Sequence, residues 1–123
     1  MNPMSKTVAL ISPVMDAVEA VKSKKAFDIV LLDLREVTTF TDYFLICSAS
    51  SDRQAQAICD EISRRLSLEG QHASHVEGYH LADWILMDYV NFVVHVFSEQ
   101  ARAFYSLERL WRTAKRHSIA AES

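Results

Sequence analysis

This chain predicts a single α/β domain with a mixed, mostly five-stranded sheet flanked by helices. Three observations carry that expectation. Segments of helical periodicity alternate with short β-branched and apolar runs along the 123 residues. The connection through residues 52–69 holds a helix and is long enough for a right-handed crossover to a parallel strand. Further on, only Val90-Asn91 separates two strong apolar runs, and so short a link requires an antiparallel hairpin.

The elements follow in order. Residues 1–11 carry weak signals and are expected to be an N-terminal tail. Ser12-Pro13 reads as an N-cap followed by proline at the first helical position, and Val14, Ala17, Val18 and Val21 mark one helical face. A helix over about 13–25 is expected, with Lys22, Lys24 and Lys25 complementing its dipole. Residues 28–34 and 43–48 read as two buried strands joined by a polar loop. Ser51 with Gln54 forms a capping box for a helix whose apolar stripe is Ala55, Ile58, Cys59, Ile62 and Leu66. Asp60 with Arg64 and Glu61 with Arg65 add acid-before-base pairs, and Gly70 closes the helix. A weak strand is expected over 72–77 and strong strands over 84–89 and 92–97. Ser98 then caps a final helix to about 116, with Phe104, Leu107, Trp111 and Ala114 on one stripe. The domain is expected to span 12–117, followed by a C-terminal tail over 118–123.

Composition narrows the function classes. Half of the residues are hydrophobic, enough for one core without staples. Cys47 and Cys59 sit in apolar patterns, so buried free thiols are expected, as suits a reducing compartment. The net charge of −3 argues against a protein held mainly by phosphate backbone, while a basic protein partner stays open. The longest apolar runs are four or five residues, too short to span a membrane. The first residues show neither a secretory nor a transit pattern, so a cytoplasmic location is expected.

A search for chemistry finds little. His72, His75 and His80 lack nearby cysteine and fit no closed zinc set. His95, inside an apolar run, reads as a hydrogen-bonded core histidine. The Ser48–Ser51 turn has no glycine and no following P-loop lysine, and helix capping accounts for it. Asp28 and Asp33 fall on opposite sides of one strand, so no carboxylate pair converges on magnesium. No catalytic residue, metal or cofactor is expected, and the chain is read as a binding protein rather than an enzyme.

The surface is more informative. Residues 77–88 hold three acids (Glu77, Asp83 and Asp88) and no lysine or arginine, beside Trp84 and Tyr89. Aromatics next to acids are what a docking surface for a basic partner uses. Residues 28–42 add four acids against one base, whereas 99–117 hold five bases against two acids, so the chain is electrically two-sided. Trp84 shares its strand face with Leu86 and Asp88; Ile85, Met87 and Tyr89 line the other. Both faces are mostly apolar, so alternation does not decide which is buried.

These residues resemble a known family. Asp33-Leu-Arg35, Thr41-Asp-Tyr-Phe-Leu-Ile-Cys-Ser48 and Arg53-Gln54 are similar to the first half of the ribosomal silencing factor (Iojap) family. Glu77-Gly78, Trp84-Ile-Leu-Met-Asp88-Tyr89, Val93-Val-His95-Val-Phe97, Arg102, Phe104-Tyr105, Leu107-Glu108 and Leu110-Trp111 resemble the second half, in order. The resemblance implies a topology akin to nucleotidyltransferases without their catalytic acids. It implies a translational repressor of nutrient-limited cells. Such a factor binds the large ribosomal subunit through its fourteenth ribosomal protein and blocks joining of the small subunit. A homodimer of the free protein is implied too, and ribosomal RNA contact is secondary. Two departures stand out: Leu81-Ala82 where the family usually has a glycine before the tryptophan, and Val90-Asn91 where it has Gly-Asp. Valine resists the positive φ of a type I′ turn, so a different turn is expected there.

The expected contact residues are Trp84 and Tyr89 as anchors and Ile85 as added apolar contact. Glu77 and Asp88 would pair with Lys or Arg, and Asp42 and Tyr43 would extend the surface. The alternative is a relict or active nucleotidyltransferase or nucleotide-binding protein of the same fold; a third is a structural dimerisation module.

Overall fold

A computed structural model of the chain describes residues 3–121, with side chains from residue 12 onward. Of the expected terminal segments, residues 1, 2, 122 and 123 lie outside the described residues. The elements run α1 (Pro3–Ser23), β1 (Phe27–Asp33), β2 (Tyr43–Ala49), α2 (Asp52–Ser67), β3 (His75–Glu77), β4 (Trp84–Asp88), β5 (Phe92–Ser98), α3 (Glu99–Tyr105), α4 (Leu107–Leu110) and β6 (Lys115–Ile119). The sheet order is β3-β4-β5-β2-β1-β6. β2 and β5 are parallel; every other neighbouring pair is antiparallel. The expected mixed α/β sheet is therefore present, with six strands rather than five.

The sixth strand replaces part of the expected long final helix. Ser106 takes a left-handed φ of 47° and ends α3, with its N–H donating to the Arg102 carbonyl. Arg102 and Glu108 pair across that break at 2.9 Å. The chain then turns at Trp111 and lays Lys115–Ile119 along the outer edge of β1. The physical reason is hydrogen bonding. The edge of β1 leaves backbone groups that need partners, and a charged, mostly exposed strand satisfies them without inviting further pairing.

α1 also differs at its start. It begins at Pro3 and carries Pro13 inside it, so Ser12 is a helical residue rather than a cap. A proline there removes one backbone hydrogen bond, and the helix continues past it.

α2 follows its local signals closely. Ser51 accepts the Gln54 N–H at 3.0 Å, and Ala55, Ile58, Cys59, Ile62 and Leu66 are buried. The Gln54 side chain caps Ser50 and donates to the carbonyls of Lys24 and Lys25, which ties the end of α1 to the start of α2. Arg64 and Arg65 both pair with Glu61, at 2.7 and 2.6 Å. Their hydrogen bonds, Arg64 first, hold the Glu61 carboxyl down at about 2. Asp60 instead accepts the Tyr79 hydroxyl at 2.9 Å, so the expected Asp60–Arg64 pair does not form.

The sheet divides the core in two. On one face α1 and α2 pack over Ile29, Leu31, Leu45, Cys47, Val94 and Val96. On the other, Val30, Leu32, Phe44, Ile46, Val93, Phe97 and Ala101 are buried beneath a layer that is itself only partly buried: Trp84, Leu86, Leu107, Trp111 and Ala114. Cys47 and Cys59 are free and buried on the first face, where burial pushes the Cys47 thiol up to about 12.

Candidate partner-binding face

The alternation of β4 sorts the expected contact residues onto two sides. Trp84 and Leu86 pack against the second, thinly covered core, while Ile85, Met87 and Tyr89 belong to the first. Ile85 is fully buried and Tyr89 is 5% exposed, stacked on Phe92 at 5.0 Å. Burial pushes the Tyr89 hydroxyl up to about 12, and among the described residues that oxygen has no hydrogen-bond partner. Tyr43 is also 5% exposed and belongs to the first core, with the Arg35 guanidinium over its ring. The expectation that Ile85, Tyr89 and Tyr43 present themselves to a partner is thus corrected: α1 and α2 cover their face, and they support the sheet from behind.

The structure does bring Trp84, Asp88 and Glu77 to one side. Residues directly opposite in neighbouring strands share a face. Glu77 lies opposite Leu86, which lies opposite His95. His75 lies opposite Asp88, which lies opposite Val93, and Trp84 lies opposite Phe97. Glu77 pairs with His75 at 2.7 Å and stays exposed. Asp88 is half-buried and accepts the Val90 N–H at 2.7 Å. Asp42 is half-buried at the same end, its N–H donating to the Asn91 carbonyl.

Trp84 is half-buried, which answers the question that alternation left open. Its ring packs on Phe97 at 5.0 Å and on Tyr105 at 4.7 Å. Its indole N–H donates to His95 Nδ1 at 3.0 Å. Gly78 lets the chain pass behind it: at φ +80°, an added Cβ would collide with the Trp84 carbonyl oxygen. Outside the ring lies a groove of about 540 Å3, with Leu81, Phe104 and Tyr105 as apolar walls and Asp83 as an acid beside it. Leu81 and Phe104 are each 81% exposed. Neither was among the expected contact residues; for Phe104 the reason is that a continuous final helix would have turned it onto the sheet with Leu107 and Trp111.

The β4–β5 turn takes an unusual form. Val90 has a φ of 73°, and the Asn91 N–H returns to the Tyr89 carbonyl, closing a γ-turn around the valine. Only one of the two turn residues has positive φ, so this is not the type I′ turn that Gly-Asp would form. Thr41 donates its hydroxyl to the Val90 carbonyl at 3.1 Å and helps hold the turn.

Asp28 and Asp33 sit in different settings on β1. Asp28 is exposed at the β1 bulge. Asp33 pairs with Arg35 at 2.7 Å, and that hydrogen bond holds its carboxyl below the usual range. Among the described residues no cluster of three histidine, cysteine or carboxylate groups could hold a metal ion. No described helix is long and apolar enough to cross a membrane.

Comparison with known proteins joins the chain to a family. Residues 9–123 match the family model described as "Ribosomal silencing factor during starvation". The ribosomal silencing factor of Halalkalibacterium halodurans is 42% identical over 98 residues, covering 80% of this chain and 84% of the relative. That of Bacillus subtilis is also 42% identical over 98 residues, covering 80% and 83%. A crystal structure from Chromobacterium violaceum superposes with a TM-score of 0.81 at 26% identity, covering 93% of this chain and 95% of that one.

Proposed function

The chain belongs to the ribosomal silencing factor family, and on that premise we propose that it represses translation by steric exclusion. It binds the large ribosomal subunit at the fourteenth ribosomal protein and blocks joining of the small subunit. The observation that carries this reading is the second sheet face, where a half-buried tryptophan opens onto an apolar groove beside acids. Such a surface needs affinity and no chemistry. Trp84 with Phe104 and Leu81 supplies desolvation, and Glu77, Asp83 and Asp88 steer a basic partner and set register. Asp42 extends the acids at the turn, while Ile85, Tyr43 and Tyr89 hold the face rigid from behind. The role is non-enzymatic and cytoplasmic, and the free chain pairs with a second copy.

Light scattering of mixed subunits tests it. Saturating protein should slow association of large with small subunits, and unchanged kinetics sink the repressor role. Binding should also weaken as salt rises, since rim charges are screened within about 8 Å at physiological ionic strength. An affinity flat with salt removes the steering and leaves only apolar anchoring.

A further inference from the structure

Beneath the β4–β5 turn, the second face holds a smaller cavity of about 210 Å3. Phe40, Phe44, Leu86 and Val93 make its apolar walls, and His95 lines it as well. His95 is also the acceptor for Trp84, whose indole can only donate, so Nδ1 carries the lone pair. Burial keeps the ring neutral, and its one ring proton therefore sits on Nε2. That N–H is out of solvent contact and has no partner among the described residues. The polar side chains around the cavity bond to the turn: Asp88 accepts the Val90 N–H through Oδ1, and Thr41 donates to the Val90 carbonyl. A buried donor with no acceptor is unfavourable, and a group that brings an acceptor relieves it.

We propose that this cavity is a specificity pocket for the protein partner, taking a short apolar side chain that ends in a neutral hydroxyl or amide oxygen, which the His95 Nε2–H binds. The inference deepens the partner-binding role above and rests on it. A lysine or arginine head is refused at the floor, because it offers only donors to a donor. Such groups pair at the rim with Asp88 and Glu77. The acids thus attract a basic surface in general, and His95 selects one side chain on it. Since Nε2 is hidden, a wall must move to admit the oxygen. Phe40, 59% exposed on the loop between β1 and β2, has room to do so.

Two variants and a probe test this. Val93→Phe fills the cavity, and His95→Asn keeps an amide oxygen for Trp84 while deleting the Nε2–H. Each should weaken large-subunit binding about tenfold, the effect of one lost buried hydrogen bond. Trp84→Ala serves as the control for the face itself. If it loses binding while the other two bind like the parent chain, the pocket is overturned and the face stands. If all three variants bind like the parent chain, the face falls and the pocket with it. The probe needs no ribosome and no variant. In the 15N-labelled parent chain at neutral pH, the His95 proton should sit on Nε2. Methyl isopropyl ketone, a pure acceptor, should shift that resonance and the Val93 amide saturably, and isobutylammonium should not. A proton on Nδ1, no saturable shift with the ketone, or equal shifts with both probes overturns the proposal.

Discussion

The two faces of one sheet are built to different standards. The first is closed by two helices, and its side chains are almost all withdrawn from water, from Val14 and Ile58 through Leu45 to Ile85. The second is closed by a broken helix and a turn, and it leaves Trp84, Leu86 and Trp111 half-buried with Phe104 and Phe40 exposed. Neighbours on β4 therefore live in different worlds: Ile85 is core, and Trp84 is half core and half surface. The lesson concerns division of labour. Under the proposed function, the face that binds cannot also be fully covered, and the closed core lies on the opposite side. What closes the second face is pinned electrostatically. Arg102 donates to the Asp28 carbonyl, to Ser48 Oγ at 2.9 Å and to Glu108, and Glu108 also holds Arg116 of β6 at 2.7 Å. Burial opposes ionisation of Glu108, but the hydrogen bonds and charges of both arginines outweigh it and keep its carboxyl below the usual range.

Breaking each face in turn should separate the two jobs. The largest effect is expected from Ile85→Ala, which removes a fully buried side chain from the first face and should cost roughly 2–5 kcal/mol in denaturant unfolding. Its remaining folded fraction should bind large subunits normally. A small stability change there would mean that the first face is not the stabilising one. Trp84→Ala should show the reverse balance. It should lose about 2–4 kcal/mol of affinity, as central interface tryptophans do, and less stability than Ile85→Ala. A destabilised variant that still binds would assign Trp84 wholly to the core and move the contact surface to Glu77 and Asp88.

The comparison also has a pH signature. Burial lowers His95 from 6.5 to about 3. Between those values the unfolded chain takes up a proton that the folded chain does not. Stability from this group is complete above pH 6.5 and is lost as pH falls toward 3, with a limiting slope of about 1.4 kcal/mol per pH unit. Stability curves of the parent chain and His95→Asn should therefore converge between pH 6.5 and 5. Parallel curves would show that His95 titrates normally and that the second face is wetter than its packing suggests. The smallest effect is expected at the turn. Val90 is 61% exposed and holds a φ of 73°, a conformation that costs a residue with a Cβ roughly 1–2 kcal/mol. Val90→Gly, which has no Cβ to strain at that φ, should raise stability by about 1 kcal/mol. A loss instead would show that the valine side chain packs on Phe40 or Phe44 strongly enough to repay its strain.

Much of this was legible in the chain itself, for a physical reason. Helix α2 could be read because its cap, its stripe and its closing glycine all act within a few residues of one another, and Ser51, Ile58 and Gly70 behave as their local chemistry requires. The shared side of Trp84 and Asp88 followed from the two-residue period of a strand, and the family followed from the order of motifs such as Thr41–Ser48 and Val93–Phe97. Tertiary structure decided what local chemistry leaves degenerate. Both sides of β4 are apolar, so only the placement of α1 and α2 could send Ile85, Tyr89 and Tyr43 inward and leave Trp84 at the surface. Lys115–Ile119 has no apolar alternation and becomes a strand because the distant edge of β1 needs backbone partners. The Trp84–His95 hydrogen bond and the unpaired Nε2–H that it leaves are likewise products of pairing β4 with β5, since no local rule joins residues eleven apart.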